Sequence, residues 1–328
     1  MKVLYAIQGT GNGHLARATE IVPVLQKMAE TDVLVSGIQG DIQLPFEVKY
    51  RFYGVSFIFG TTGGVDLKKT ISRSRLPRFL VDLIKLPVQK YDLVISDFEP
   101  VSAWACKIKG KKCIGLSHQN AVLHNATPKP EKHDALGKFI LRNYAPVSLK
   151  YGFHFNQLDS FNFSPVIRTA IRNANHSTNN HYSVYLPSYS NEEIERVLGA
   201  FPQVQWEVFS KHSKKSYSKQ NIHFQPVSIE KFQESFISCS GILCNAGFET
   251  PAEALHMGKK LCVIPMKNQY EQQCNAAFLR EMGVQVLNDL SEDVAKIRLW
   301  LENIQPLKID FPDRTNEIIE KIIMRNTI

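Results

Sequence analysis

Twice in this chain a short apolar run ends in a glycine-bearing turn and passes at once into a helical pattern. Residues 3–8 form the first run, Gly9-Thr10-Gly11-Asn12-Gly13-His14 the turn, and residues 15–29 the helix, with apolar Ile21, Val22, Val24, Leu25 and Met28. Residues 241–244 form the second run, Asn245-Ala246-Gly247 the turn, and residues 251–257 the helix. A strand that feeds a helix must cross over to reach its next neighbour, so such units build parallel sheets covered by helices. Further strands at 32–36, 92–96, 113–117, 183–186, 206–209 and 261–264, and helices at 101–107, 191–200 and 318–324, keep the same rhythm. Between 151 and 180 it lapses into a stretch crowded with Phe, Asn and Ser. The expected fold is α/β, with two Rossmann-like domains facing across a cleft. Their expected extents are residues 1–155 and 156–328, with the final helix placed to pack back on the first domain. Open α/β sheets bind ligands beyond the carboxyl ends of their strands, so the two turns are where chemistry is expected.

Composition narrows the possibilities. The chain has 328 residues, 44% of them hydrophobic and 21% charged, which suits two buried cores and argues against disorder. No apolar run approaches the roughly 18 residues of a membrane span. The first strand is followed by a glycine turn and not by a small-residue cleavage site, so it does not resemble a secretion signal. Six cysteines fall at 106, 113, 239, 244, 262 and 274, with no CxxC pair and no zinc spacing. That pattern fits a reducing cytoplasm, with no metal site expected. The net charge of +8 suits a basic surface, an anionic substrate or an anionic membrane. Without finger spacing or aromatic-basic signatures, nucleic acid is not an expected partner.

The first turn follows a strand and opens a helix. Glycines there let a ligand approach the backbone, and a helix N-terminus favours negative charge. A dinucleotide fingerprint needs G-x-G-x-x-G and an acid at the end of the second strand. Here the turn reads G-x-G-x-G-H, the second strand ends Val35-Ser36-Gly37, and Asp32 lies at the wrong end. A dehydrogenase is therefore disfavoured. His14, in the first turn of the helix, is either a packing residue or a general base, because an imidazole can take a proton from a hydroxyl near neutral pH. Asp97 ends a strand of the same sheet and is either its orienting partner or the N-cap of the next helix.

The second turn carries more. Gly247 and Thr250 precede and open a helix with Pro251 in its first turn, which aims backbone N–H groups and a hydroxyl at a diphosphate. Glu253 follows Thr250 by about one turn and can accept from two ribose hydroxyls. Beyond the next strand, residues 265–276 are rich in amides and carboxylates, notably Glu271, Gln272 and Asn275, which pair well with vicinal sugar hydroxyls. A capping box with a polar loop explains Thr250 and Glu253 but not this second cluster.

The pattern Asn245-x-Gly247-x-x-Thr250-x-x-Glu253, then Pro265, then Glu271-Gln272-x-x-Asn275-Ala276, resembles the donor signature of the GT-B nucleotide-sugar glycosyltransferases, which include the peptidoglycan GlcNAc transferase and the UDP-glycosyltransferases. The segment Gly11-Asn12-Gly13-His14 is similar to that superfamily's acceptor-side glycine loop with its catalytic histidine. The segment 96–100 resembles bacterial and archaeal glycosyltransferases of this fold. The resemblance covers nearly the whole chain. It implies a nucleotide-sugar, most simply UDP-linked, as co-substrate in the second domain, with no cofactor and no metal. Glu253 would hold the ribose, Thr250 and the Gly247 turn the diphosphate, Glu271 and Gln272 the sugar, and the backbone around Val227 the base. His14 would be the base of an inverting transfer, with Asp97 orienting it. Two departures stand out. Asn245 replaces the family's usual histidine, and the segment 186–190, with Ser188, replaces a glycine-rich loop.

For the acceptor, His118 and Gln119 follow a strand onto the expected cleft rim. Lys68, Lys69, Arg73, Arg75 and Arg78 precede an amphipathic run at 79–86. This reads as a solvated loop with a core helix, or as a surface that docks on the inner face of an anionic membrane carrying a glycan or lipid-linked acceptor. Two rival functions remain. One is a non-hydrolysing UDP-sugar epimerase, which needs more acid–base groups than His14 alone. The other is a nucleotide-sugar-binding protein without catalysis.

Overall fold

The computed structural model describes residues 1–37, 43–54, 76–131, 134–175 and 178–326. The first half runs β1 (Lys2–Gln8), α1 (Gly13–Met28), β2 (Glu30–Ser36), β3 (Tyr50–Phe52), α2 (Leu76–Lys85), β4 (Leu93–Asp97), α3 (Pro100–Ile108), β5 (Ile114–Leu116), α4 (His118–Val122), α5 (Ala135–Asn143), β6 (Leu149–Phe153) and β7 (Asn162–Phe163). The second half runs α6 (Thr169–Arg172), β8 (His181–Tyr185), α7 (Asn191–Leu198), β9 (Gln205–Ser210), β10 (Tyr217–Lys219), β11 (Ile222–Pro226), α8 (Ile229–Ser238), β12 (Gly241–Asn245), α9 (Glu249–Met257), β13 (Lys260–Ile264), α10 (Tyr270–Glu281), β14 (Gln285–Val286), α11 (Val294–Asn303) and α12 (Thr315–Asn326).

Each half forms one seven-stranded sheet. The orders are β3-β2-β1-β4-β5-β6-β7 and β10-β11-β9-β8-β12-β13-β14. All pairings are parallel except that of β10 with β11. In both sheets the strand order reverses beside the first strand, between β1 and β4 and between β8 and β12. A crevice opens at such a reversal because the flanking crossovers run to opposite faces. The two glycine-bearing turns leave from these points. The strands are almost continuously buried, as a sheet covered on both faces requires.

The lapse in rhythm at 151–180 leads one to expect the inter-domain linker in its first part, but the structure places strands there. β6 and β7 extend the first sheet through it, so that sheet continues past the expected boundary at 155. Four of the five aromatic residues in this interval pack inward: Tyr151, Phe153, Phe155 and Phe163 are buried in one apolar cluster with Phe248 and Phe278 of the second half, while Phe161 is exposed. The final helix α12 contributes Ile318, Ile319 and Ile322 to that cluster and packs against α1. A hydrogen-bonded strap adds to the seam, with the Thr169 N–H and hydroxyl donating to the Glu20 carboxylate at 3.1 and 2.7 Å. The six cysteines are all buried and free.

Two acids compete for the start of α3, and the structure separates them. Glu99 caps the helix, accepting from the N–H groups of Val101 and Ser102 at 2.7 and 2.6 Å, and also takes the Ser36 hydroxyl. Phe98, between the acids, has φ of 54°, a left-handed conformation uncommon for a bulky residue. That turn sends Asp97 the other way, toward α1. Glu99→Ala removes a buried cap and strands the Ser36 hydroxyl. It should cost about 2–4 kcal/mol of unfolding free energy, read as a lower urea midpoint with unchanged slope. A loss below about 0.5 kcal/mol, the scale of an ordinary surface change, would show that the cap is dispensable.

Candidate active site

The cleft between the halves encloses a cavity of about 270 Å³. Both turns line it, contributing Gly11, Asn12, Gly13, His14, Asn245, Gly247 and Thr250. Gly11 has φ of 86°, where an L side chain is strained. Gly13 allows close approach of the halves, since a Cβ there would lie 3.3 Å from Glu249 Cγ. Neither α1 nor α9 has a side-chain cap at its N-terminus. Their first-turn N–H groups are left facing the cleft, the arrangement that attracts anions.

His14 is held from both sides. Its Nδ1 lies 2.8 Å from Asp97 Oδ1 and its Nε2 3.2 Å from the side-chain nitrogen of Gln119. That Gln119 nitrogen also donates to Glu271 Oε2 at 2.9 Å, which fixes the amide with its NH₂ toward both groups. These partners assign Nε2 as the acceptor and Nδ1 as the donor to Asp97, with Arg17 Nη2 3.0 Å from the same Nδ1 and directed, like it, at the Asp97 carboxylate. The imidazole presents a lone pair to the cleft.

Behind it lies a buried ionic cluster. Arg17, one helical turn past His14, donates to Asp97 through Nε (3.2 Å) and Nη2 (2.6 and 2.9 Å), and through Nη1 to Glu249. Arg17 Nη2 and His14 Nδ1 both aim at Asp97 Oδ1. Burial pushes the Asp97 carboxyl up, but Arg17 and His14 outweigh it and hold the carboxyl below its ordinary value. Glu249 fares differently. Burial raises its carboxyl most, Arg17 pulls it down, Glu253 and Asp97 push it up, and it settles at about 7. One guanidinium serves two carboxylates, and Asp97 holds the larger share.

The other expected residues divide. Thr250, Glu253, Glu271, Gln272, Val227, His118 and Gln119 line the cavity. Glu253 is nearly buried and takes a bidentate ion pair from Arg168, with Nε at 2.6 Å and Nη2 at 2.7 Å. Each of its oxygens keeps a lone pair for a ligand hydroxyl. Gln272 accepts from Met266 N–H at 3.0 Å. His118 is spent on holding the halves together. Its nitrogens lie 2.8 Å from the Phe153 carbonyl and 2.7 Å from Asn275 Oδ1, and its ring stacks on Phe248 at 3.9 Å. Burial lowers it to about 4, so it is neutral near pH 7. Asn275 donates in turn to the Ala246 carbonyl and lies outside the cavity lining. Ser188 is fully buried and also outside the lining, where Pro187 stands instead. Asn245 donates to the Ile264 carbonyl at 3.0 Å, which leaves its Oδ1 without a hydrogen-bond partner.

Sequence reasoning missed Arg17, Arg168 and Glu249. Only Arg17 carries a local signal, its i+3 spacing from His14 on one helix face. Among the described residues no group of three or more His, Cys, Asp or Glu side chains is arranged to hold a metal ion.

The raised carboxyl of Glu249 has a consequence for stability. Its folded value, about 7, lies above the ordinary 4.5. The folded state therefore binds a proton that the unfolded chain releases, and stability from this group falls as pH rises from about 4.5 to about 7. Glu249→Gln, an isostere of the protonated form, should remove that fall. The difference in melting temperature, variant minus wild type, should rise between pH 5 and 7 and level off above. A difference independent of pH would mean that Glu249 is ionised throughout.

The sequence matches the family described as Glycosyl transferase family 1 over residues 1–305. None of the curated proteins compared with the chain matches it. Solved structures share its architecture at low identity. MurG of Acinetobacter baumannii is 16% identical with a TM-score of 0.56, covering 98% of this chain and 99% of its own. Phytolacca americana UGT2, complexed with UDP-2fluoro-glucose and pterostilbene, is 12% identical with a TM-score of 0.57, covering 99% and 93%. A UDP-N-acetylglucosamine 2-epimerase is 14% identical with a TM-score of 0.57, covering 99% and 96%. These likenesses fit the GT-B arrangement of two Rossmann-like domains. With the family match spanning nearly the whole sequence, this chain belongs to glycosyl transferase family 1 and is a glycosyltransferase.

Proposed function

We propose that the enzyme takes a sugar from a UDP-linked donor and passes it, with inversion and without a metal ion, to an acceptor hydroxyl deprotonated by His14. The observation that carries this reading is the placement of His14 at the cavity wall with Nδ1 2.8 Å from the Asp97 carboxylate and Nε2 turned to the cleft. Asp97 stays ionised and stabilises the imidazolium that forms. The acceptor hydroxyl gives its proton to Nε2 while its oxygen bonds to the anomeric carbon. The bond from that carbon to the diphosphate breaks, and the nucleoside diphosphate leaves with the electron pair. Attack opposite the leaving group inverts the centre.

The donor side offers what a diphosphate needs. The uncapped start of α9, the Gly247 turn and the Thr250 hydroxyl face the cavity, and N–H groups at a helix start stabilise developing negative charge. Glu253, braced by Arg168, would accept from the ribose, and Glu271 and Gln272 from the sugar. A structural neighbour that holds UDP-2fluoro-glucose supports the choice of UDP.

The epimerase reading draws on a neighbour of equal TM-score, but of the two histidines that line the cavity among the described residues, His118 has both nitrogens committed to protein oxygens, which leaves His14 to face a ligand. His14→Ala should lower turnover about 10²–10⁴-fold and leave donor affinity, by calorimetry, nearly intact. Undiminished turnover would remove the base assignment. Incubation of the wild type with UDP-N-acetylglucosamine alone separates the rival, since epimerised sugar without acceptor identifies an epimerase.

We further propose that the acceptor is a glycan or lipid-linked molecule met at the inner face of a membrane. α2 turns Leu83 into the core, while Leu76, Leu80, Val81 and Ile84 are exposed beside Arg78 and Lys85. The exposed set recurs at four-residue spacing along one face, the pattern of a helix that lies in a bilayer interface. Lys68, Lys69, Arg73 and Arg75 lie outside the described residues. No helix among the described residues is long and apolar enough to cross a membrane. Leu80→Gln with Ile84→Gln should abolish flotation with phosphatidylglycerol vesicles and spare donor binding. Unchanged flotation would discard the docking surface.

A further inference from the structure

We propose that Gln119 determines specificity for an acceptor over water, its side-chain amide covering the lone pair of His14 until an acceptor displaces it. The inference rests on the reading of His14 as the base. In the cleft, Gln119 Nε2 lies 3.2 Å from His14 Nε2 and 2.9 Å from Glu271 Oε2. A hydroxyl that gives its proton to His14 must come within hydrogen-bond reach of the same Nε2. The amide therefore occupies the position of the nucleophile. It cannot stand in for one, because its nitrogen has no lone pair free to attack.

The clasp spans both halves of the molecule. Gln119 belongs to α4 of the first, and Glu271 to the first turn of α10 in the second, the residue proposed to read the donor sugar. Sugar hydroxyls that donate to Glu271 compete with the amide for that carboxylate. Donor binding thus removes one of the two anchors and leaves the contact with His14. An acceptor removes the second. Its binding energy, gained along the cleft away from the reacting hydroxyl, can be spent on turning the amide aside. Water has no such remote contacts and meets the covered base. The Gln119 Oε1, buried and without a hydrogen-bond partner, is a ready acceptor for a hydroxyl arriving from the cleft.

The competing reaction is hydrolysis. A water oxygen bonds to the anomeric carbon, its proton goes to His14 Nε2, and the carbon–oxygen bond to the diphosphate breaks to release the free sugar and the nucleoside diphosphate. The clasp slows this step without contributing to transfer. A simple acceptor contact would behave differently, since its loss would raise the acceptor KM and leave hydrolysis unchanged.

The test uses the full-length enzyme, no acceptor, and the donor that gives the largest thermal shift among UDP-, GDP- and dTDP-linked sugars. Nucleoside diphosphate release is measured for wild type, Gln119→Ala, Gln119→Leu and His14→Ala with Gln119→Leu. Release should rise about five- to tenfold in both single variants, the scale of one neutral hydrogen bond, with melting temperature close to wild type and donor affinity at or above it, because Glu271 no longer pairs with the amide. It should fall below wild type in the double variant, because the uncovered group is His14. Release at or below the wild-type level in both single variants overturns the proposal. A rise that survives in the double variant also overturns it. Full turnover in His14→Ala alone would instead sink the base reading on which it rests.

Discussion

A single guanidinium closes this molecule on its chemistry. Arg17 stands between Asp97, which backs His14, and Glu249, which opens the helix facing the proposed diphosphate site. Taking three charges out of water is costly, and their mutual attraction offsets that cost only when every partner is in place. Removing one partner of such a cluster typically costs about 3–5 kcal/mol, because it strands the others. The arrangement makes the proposed dyad of His14 and Asp97 in one half depend on the position of a helix in the other. A structure in which the halves parted would leave Arg17 with Asp97 alone and would expose the Glu249 carboxylate.

The placement of these groups follows from the duplicated topology. Each sheet reverses its strand order beside its first strand, and each reversal ends in a glycine-bearing turn. β1 delivers His14 and β4 delivers Asp97 to one crevice, while β8 and β12 deliver Pro187 and Gly247 to the other. The chemistry then divides along the fold. The first crevice supplies the imidazole and carboxylate proposed as base and orienting partner. The second supplies the N–H groups, hydroxyl and polar side chains proposed to hold the donor. The aromatic seam of Phe155, Phe248 and Phe278, with His118 between Phe248 and Asn275, sets the spacing of the two.

Much of this was legible in the residues. Strand, turn and helix periodicity identified both crevices, and the types and spacing of Thr250, Glu253, Glu271 and Gln272 placed them on the cavity wall. Asp97 could not be assigned from sequence as orienting acid or helix cap. It lies three residues before the helix start at Pro100, and only the structure, with its left-handed turn at Phe98, gives the cap to Glu99. The first part of the interval 151–180 reads as a linker because only the last three residues of β6 fall in it and β7 is two residues long, too short for either to show a period. His118, expected on the cleft rim, does line the cavity, but both its nitrogens are committed to protein oxygens. Asn275 and Ser188, expected from an amide-rich cluster and from a loop replacement, lie outside the lining, and burial of this kind has no local signature. Arg168 and Glu249 pair with groups 85 and 232 residues away, a distance over which sequence spacing carries no information.

The substitution of Asn245 for the family's usual histidine acquires a physical meaning in this setting. The amide is never charged, and one of its N–H bonds is committed to the Ile264 carbonyl, so the diphosphate site gains no cation there. The charges lining the cavity are Arg17, Arg168 and Lys211 against Glu249, Glu253 and Glu271. Arg17 is already committed to Asp97, so an arriving diphosphate would meet a surplus of carboxylate. A protonated Glu249 would resolve this. Its carboxyl is raised to about 7, chiefly by burial, and an anion bound at the proposed diphosphate site would favour its neutral form further. Donor binding would then be linked to proton uptake at Glu249, restoring the charge balance that a histidine in place of Asn245 would otherwise supply.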